Sequence, residues 1–336
     1  MALIGAAPSD AAVTSPDPGI QPAGGRPRDL QRLFQLVLAT VWLFDAVLQI
    51  QPFMFTRGAD GFSGMLNGLA SGQPSWVAHS ITWNASIVYH QAVLANTLFA
   101  SIQFLIAFGI VYKKSLKPAL GLSIVWALVV WWFGEGSGGV FTGAATPFGG
   151  GPGGVLFYAV LAVLLWPRDG IDRPFVAARA VGVRAAKAIW AVLWLILALL
   201  CVVGSGRSPQ ALHDLVDGLN SGQPGWLSHI DRSTESLFIH DGTTMAILLA
   251  IVCVVVATGV FLPPTVTKLT VALAVVVFGL IWIAVQDFGG ILAGGATDPN
   301  GAPLVMLIAL LYWPLDGDRE PIGNRQDLSS LAAKEA

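Results

Sequence analysis

The chain is poor in charge. Of its 336 residues only 11% are Asp, Glu, Lys or Arg, whereas 54% are hydrophobic. An ordinary soluble domain carries roughly 25% charged residues, so this chain has too few to cover a water-exposed surface of normal size. Lipid must be the solvent for much of it. The 12 Trp and 38 Gly support this, since both residue types are frequent in membrane proteins.

Cysteine and the common enzyme motifs are also scarce. Cys201 and Cys253 are the only cysteines. Both lie in apolar runs, which argues against a disulfide framework or a zinc site and predicts buried thiols. The sequence has no CxxCH haem-attachment motif, P-loop, GxGxxG fingerprint, HExxH or methionine-rich copper tract. No nucleic-acid partner is expected. Residues 1–30 lack an apolar run, which predicts a disordered cytoplasmic tail and not a cleavable signal.

Eight apolar runs predict membrane spans, because about twenty apolar residues cross a bilayer. They cover residues 34–50, 90–112, 118–133, 154–166, 188–203, 243–262, 269–285 and 303–313. The fourth and eighth are short and are expected to extend into their flanks.

The connections between these runs alternate in charge. Fifteen of the 18 basic residues fall on one side of the predicted membrane, and only Arg57, Arg207 and Arg232 fall on the other. Positive charge stays cytoplasmic, so both termini are predicted to lie inside. The composition is typical of a GC-rich bacterium, which makes the bacterial plasma membrane the expected location.

An internal repeat is the strongest pattern in the sequence. The segment Ser71-Gly72-Gln73-Pro74-x-Trp76-x-x-His79 recurs as Ser221-Gly222-Gln223-Pro224-x-Trp226-x-x-His229, and later matches include Trp131 with Trp282, Gly138-Gly139 with Gly289-Gly290 and Trp166-Pro167 with Trp313-Pro314. Each copy has four spans, an even number, so the copies are predicted to be parallel repeats about an axis along the membrane normal.

The predicted fold is therefore an all-α integral membrane protein of two parallel four-helix units. The units cover residues 31–170 and 188–317, with a basic cytoplasmic linker at 171–187 and a cytoplasmic tail at 318–336. In each unit the segment after Gly-Gln-Pro predicts a short interfacial helix in the long outer loop, over 76–90 in the first unit. The glycine-rich outer loops are too irregular to face lipid, so they must be buried or line a wet cavity.

Polar residues inside spans are costly and mark candidate sites. The candidates in the first unit are Asp45, Gln49, His90, Asn96, Gln103 and Glu135. The second unit has Leu195, Ala246, Cys253 and Gln286 at the positions of Asp45, Asn96, Gln103 and Glu135. This asymmetry predicts one polar site, in the first unit, that opens outward. Asn96 and Gln103 could instead only join helices, and Asp45 could only pair with a hydroxyl or backbone group.

The histidines suggest a second hypothesis. His79 and His90 would be roughly 16 Å apart on one straight helix, too far to share a metal. His90 and His240 correspond by the repeat, so they could bind a haem or copper ion between the units. The alternative for each is a hydrogen bond to a loop. The repeat-related residues His79, His229, Gln286 and Asp287 complete the set of candidates.

In layout each four-helix unit resembles the DoxX/DoxD-like membrane family. The shared features are one span, an outer loop with an interfacial helix, and three more spans with a glycine-rich turn before the last. The segments 132–139 and 295–299 also resemble those of uncharacterised actinobacterial membrane proteins. The DoxX-like resemblance implies a small membrane subunit that works with quinone or thiol redox partners, and it assigns no catalytic residue to this chain.

Three classes of function follow. The first is a redox-associated component linked to quinone or thiol chemistry, in which Asp45, His90 and Glu135 handle protons near a quinone or metal. The second is a carrier or channel for a small solute or ion, in which the same residues line an outward cavity. The third is a membrane assembly partner without chemistry of its own.

Overall fold

The computed structural model describes residues 29–59, 61–168 and 173–315. Within these ranges the chain is helical and contains no strand, as the sequence predicted. The predicted cytoplasmic tails, 1–30 and 318–336, lie outside the described residues apart from Asp29 and Leu30. The first two residues of the predicted linker 171–187 also lie outside them.

Twelve α-helices are present in the described ranges. They are α1 (Leu30–Leu48), α2 (Phe62–Gly68), α3 (Ser75–His90), α4 (Ala92–Val111), α5 (Leu116–Phe133), α6 (Leu156–Leu164), α7 (Val176–Val181), α8 (Val183–Val202), α9 (Pro209–Asp217), α10 (Gly225–Gly259), α11 (Pro264–Ala284) and α12 (Gly301–Leu310). By length and composition, six of them can cross a membrane: α1, α4, α5, α8, α10 and α11. They correspond to the first, second, third, fifth, sixth and seventh predicted spans.

The fourth and eighth predicted spans are the short helices α6 and α12. They contain 9 and 10 residues. At 1.5 Å per residue each is about 15 Å long, half of the ~30 Å hydrocarbon core. The two helices contact each other. The start of α12 also packs on the loop before α6, where a Cβ atom on Gly301 would lie 3.0 Å from the Gly150 Cα. The expectation that these helices extend into their flanks is not met, because glycine-rich loops precede them.

The predicted interfacial helices differ between the two copies. Both helices begin directly after the proline of Gly-Gln-Pro, at Ser75 and Gly225. In the first copy the helix ends at His90, and Gln91 leaves helical geometry with φ −126° and ψ 38° before α4 begins. In the second copy the prediction of a separate helix is wrong. There α10 continues for 35 residues, about 52 Å, which exceeds the thickness of the hydrocarbon core.

The interior is packed with aromatic side chains, and much of the outer surface is apolar. Trp42, Trp190 and Trp194 are among the largest fully buried side chains. Conversely, Leu94 on α4 and Leu269 on α11 are each 66% exposed. An apolar outer surface on long helices is expected where lipid replaces water as the solvent.

The two glycine-rich loops follow α5 and α11 and contain short 3-10 segments, Gly136–Gly139 and Asp287–Ala293. Non-glycine residues Ser137 and Asp287 have positive φ angles of 58° and 48° and are fully buried. Gly138 contacts the backbone so closely that a Cβ atom there would lie 1.9 Å from the Pro152 carbonyl oxygen. These parts of the loops are buried against protein. Their irregular backbone is therefore shielded from lipid, where its polar groups could not be paired.

Candidate functional site

Asp45 lies on the inner face of α1, close to its end. Its side chain is 4% exposed, and its Oδ2 accepts a hydrogen bond of 2.5 Å from the Tyr158 hydroxyl on α6. The Tyr158 ring packs on Trp42, with the ring centres 4.4 Å apart. The other carboxyl oxygen, Oδ1, is buried without a hydrogen-bond partner. Asp45 therefore has a hydroxyl partner for one oxygen and none for the other.

The amide candidates divide into two roles. Gln49, one turn beyond Asp45, donates to Asn96 Oδ1 at 2.5 Å, and Asn96 donates back to the Gln49 carbonyl oxygen at 2.8 Å. Asn96 therefore joins α1 to α4, as the alternative interpretation of this residue held. Gln103 lies two turns along α4, is 7% exposed, and has a buried Oε1 with no partner.

Glu135 follows α5 and reaches the start of α6. Its Oε1 accepts a 3.0 Å hydrogen bond from the Val155 N–H, and its Oε2 has no partner. The Trp131 indole N–H donates to the Pro152 carbonyl oxygen at 2.7 Å, which holds the intervening loop against α5. Gly153 has φ +130°, and a Cβ atom there would lie 2.6 Å from Glu135 Oε2. Only glycine lets the loop come this close to the carboxyl group.

The third carboxyl group comes from the distant loop before α12, and the sequence analysis did not place it in the site. Asp298 accepts hydrogen bonds from the Asn300 N–H at 2.7 Å and from the Thr297 hydroxyl at 2.9 Å. Gln51, beyond the end of α1, donates to the Ala296 carbonyl oxygen at 2.7 Å and ties this loop to the first half of the chain. No local pattern in the sequence indicated that this acid would enter the site.

These side chains line one cavity of about 240 Å³. Asp45, Glu135 and Asp298 supply its carboxyl groups, and Gln49, Asn84 and Gln103 supply amides. Its aromatic wall consists of Trp42, Phe62, Phe99, Trp126, Phe133 and Tyr158. None of the described residues that line the cavity is basic. The structure thus brings together four of the six first-unit candidates in one lining, and Asn96 supports that lining through Gln49.

The absence of a nearby cation is reflected in the pKa of the loop carboxyl groups. Burial raises the pKa of Glu135 to about 8, and the charge of Asp298 acts in the same direction, against the hydrogen bonds from the Val155 and Gly154 N–H groups. Burial also raises the pKa of Asp298, although Asn300 and Thr297 donate hydrogen bonds to it. At neutral pH the empty cavity therefore keeps a proton on Glu135 for most of the time.

His90 and His240 lie outside this cavity, and both are exposed. The His90 ring packs edge-on against Tyr89, and its carbonyl oxygen accepts a 3.3 Å hydrogen bond from Arg57. The His240 Nδ1 lies 2.7 Å from the Ser236 carbonyl oxygen on its own helix. The hypothesis of a haem or copper ion between these two histidines gains no support from their contacts, which are local.

The remaining histidine candidates are also on the surface. His79 and His229 are exposed, and His229 Nδ1 lies 2.9 Å from the Arg232 guanidinium. Across the described residues no group of three or more His, Cys, Asp or Glu side chains is placed to hold a metal ion.

In the second half of the chain Gln286 takes a structural role at the position of Glu135. Its Oε1 accepts a 3.1 Å hydrogen bond from the Ala302 N–H at the start of α12, and its Nε2 donates to the Phe148 carbonyl oxygen at 3.0 Å. The other counterparts, Leu195, Ala246 and Cys253, are apolar, with Leu195 half exposed.

A second buried acidic pair was not predicted as such. Asp231 on α10 and Asp287 after α11 interact with each other, and both are fully buried. The position that corresponds to Asp231 in the first copy is the buried Ile81. The prediction of one polar site in the first unit compared only the counterparts of the first-unit residues, and Asp231 was not among them.

The arrangement in the cavity can bind a positively charged group and exchange protons with it. Its carboxyl groups accept hydrogen bonds, the Tyr158 hydroxyl donates one, and the aromatic wall can pack on an apolar body. The described lining contains no thiol or histidine. No protein-family model, curated protein or solved structure matches this chain.

Proposed function

We propose that this chain is a membrane transport protein that binds a small organic cation in the cavity between α1, α4, α5 and α6. The observation that supports this most directly is the composition of the lining. Asp45, Glu135 and Asp298 all face one cavity, and no described lining residue is basic. A cation supplied by a ligand would provide the missing positive charge.

The charge argument rests on the low dielectric of the site. Ionised carboxylates in apolar surroundings are costly unless they are paired. The pKa of Glu135 is raised to about 8 by burial and by the charge of Asp298. The neighbouring protein groups therefore do not compensate the negative charge of this carboxylate. A bound cation pairs with the carboxylates and removes that cost, so the cavity has a strong electrostatic preference for positive ligands.

The aromatic wall of the cavity favours an organic cation over a bare metal ion. Six aromatic residues line the cavity, and two of them, Trp42 and Trp126, are of the residue type whose ring attracts cations most strongly. A cavity of about 150 Å³ is known to hold benzene, so about 240 Å³ admits one ring with a short side chain. Hard metal ions prefer a shell of oxygens, and here most of the lining is apolar.

The helices around the cavity support transport. The cavity adjoins the start of the half-length helix α6 and the loop before the half-length helix α12. Discontinuous helices of this kind commonly form the substrate sites of secondary transporters, because irregular backbone at membrane depth is tolerated where it lines a cavity.

The proposal includes the finer topology. We infer eight membrane segments in two parallel four-helix repeats, with both termini in the cytoplasm of a bacterial plasma membrane and the cavity open to the outside. Two pairs of equivalent hydrogen bonds support the repeat. Trp131 to Pro152 O (2.7 Å) corresponds to Trp282 to Pro299 O (2.8 Å). Likewise the amide at the start of α6 donates to Glu135, and that at the start of α12 donates to Gln286. Reporter fusions at each loop test the topology.

The test of function is binding followed by uptake. Protein purified in mild detergent is titrated with phenethylamine, and the same protein in liposomes is tested for uptake of the labelled amine. We expect saturable binding and uptake, both strongly reduced in Asp45→Asn and unchanged in Asp217→Asn, an exposed acid outside the cavity. Equal binding by both variants would contradict a role for the cavity carboxyl groups.

A second candidate is a quinone-linked redox component, the function that the DoxX-like resemblance implies. It is favoured by the hydrogen bond from the Tyr158 hydroxyl to Asp45, since this pair places an exchangeable proton beside an aromatic cavity. A quinone added to the purified protein should then quench the fluorescence of Trp42 and Trp126, and Tyr158→Phe should weaken that effect.

An absorption spectrum and metal analysis test the haem or copper hypothesis in the same sample.

A further inference from the structure

The polar atoms of the cavity that lack partners specify the ligand further. Among the described residues of the lining, four buried polar atoms have no hydrogen-bond partner. When the two carboxyl groups are ionised, three are acceptors, namely Asp45 Oδ1, Gln103 Oε1 and Glu135 Oε2, and the fourth is the Trp126 indole donor. Buried polar groups in native proteins are almost always paired, so these four atoms are the groups that a ligand in the cavity would be expected to contact.

From this set, and resting on the proposed function, we propose that the cationic group of the ligand is a primary ammonium whose three N–H donors pair with Asp45, Gln103 and Glu135. An ammonium of the form R–NH₃⁺ has three donors and no acceptor, as the lysine side chain does. The number and type of its hydrogen-bonding groups match the three free acceptors.

Other cations match less well. A quaternary ammonium carries no N–H group, so it would gain charge attraction and ring contacts but would leave all three acceptors unpaired. A guanidinium has five donors in a planar fork, which suits bidentate pairing with a carboxylate. Two of its five donors would remain unpaired in a lining with three free acceptors.

Two of the three acceptors, Asp45 and Gln103, are on side chains that are buried from water. Asp45 is 4% exposed and Gln103 is 7% exposed, so bulk water does not readily satisfy these oxygens. Gln103 is a neutral amide, which adds no charge to the site and therefore contributes only through its hydrogen-bonding capacity. The Trp126 indole N–H remains available for an oxygen elsewhere on the ligand.

The experiment compares three probes of the same shape at pH 8.5 by calorimetric titration. The probes are phenethylamine, its N,N,N-trimethyl analogue and phenethyl alcohol. We expect phenethylamine to bind about ten- to a hundredfold more tightly than the trimethyl analogue, since hydrogen bonds to charged groups would be lost. Gln103→Leu, which keeps the size and removes the amide, should reduce that ratio.

The outcomes separate this inference from the proposed function. If the trimethyl analogue binds as tightly as phenethylamine, the primary-ammonium assignment is overturned while a cation site stands. If phenethyl alcohol binds as tightly as both cations, or if none of the three binds, the cation site itself is refuted. A thermal melt of Gln103→Leu is the folding control, and an unchanged ratio in a folded variant also overturns the assignment.

Discussion

Affinity for the organic cation should depend steeply on pH, because ligand and proton compete for Glu135. The pKa of Glu135 in the empty cavity is about 8, owing first to burial and second to the charge of Asp298. Asp45 and Tyr158 are the other titratable groups of the lining around it. The cation binds the ionised carboxylate, so the apparent affinity falls as the pH falls below 8.

The size of the effect follows from competition with one proton. With a pKa of about 8, the apparent dissociation constant rises about twofold at pH 8, about tenfold at pH 7 and about a hundredfold at pH 6, relative to the fully ionised site. About 0.9 proton should be released per ligand bound at pH 7, since Glu135 is then about nine-tenths protonated.

Calorimetric titrations of phenethylamine between pH 6 and 9, in buffers of different ionisation enthalpy, measure both quantities. Glu135→Gln should bind more weakly at pH 9 and show a flatter profile than the wild type over this range. An affinity of the wild-type protein that stays constant between pH 6 and 9, or that increases on acidification, would refute the reasoning. Proton release in Glu135→Gln equal to that of the wild type would refute the assignment to this residue.

Three further predictions concern single residues. Asp298→Asn should shift the pH midpoint of binding downward, because the charge that raises the pKa of Glu135 is removed; an unchanged midpoint would show that burial alone sets it. Gln103→Leu should raise the melting temperature of the empty protein while weakening amine binding, since it removes a buried unpaired acceptor; a lower melting temperature would argue against an unpaired amide. Gly153→Ala should destabilise the protein by at least about 1–3 kcal/mol, because it combines φ +130° with a contact of 2.6 Å to Glu135. The matched Gly121→Ala, where a Cβ atom meets nothing within 4 Å, should be tolerated, and equal melting temperatures of the two variants would contradict the loop geometry.

Much of the helical architecture could be predicted from local pattern. Six long apolar runs became helices of spanning length, because run length alone decides whether a segment satisfies its backbone in lipid. Proline also fixed two helix starts, after Pro74 and Pro224. Asp45 and Gln49 were recognisable as candidates because polar side chains are rare within such runs.

The lengths of some helices could not be predicted from the sequence, because apolar segments do not remain helical over their whole length. The runs at 154–166 and 303–313 are short in the sequence, but they did not indicate that α6 and α12 would stay half length, since the glycine loops before them adopt positive φ angles. Likewise the sequence did not indicate that the helix would break at Gln91 and continue past His240, since both segments start after Gly-Gln-Pro and reach a His fifteen residues later.

The composition of the cavity was decided by the tertiary structure. Tyr158 meets Asp45 across 113 residues, and the loop carrying Asp298 is tied to Gln51 across 245 residues. Asn96 and Gln103 looked equivalent in sequence, yet one is paired and the other is not. Local pattern identifies which residues are costly to bury in a membrane. Which of them share a cavity, and which keep an unpaired oxygen there, depends on how distant helices and loops pack, because each pairing requires a partner that lies far away in the chain.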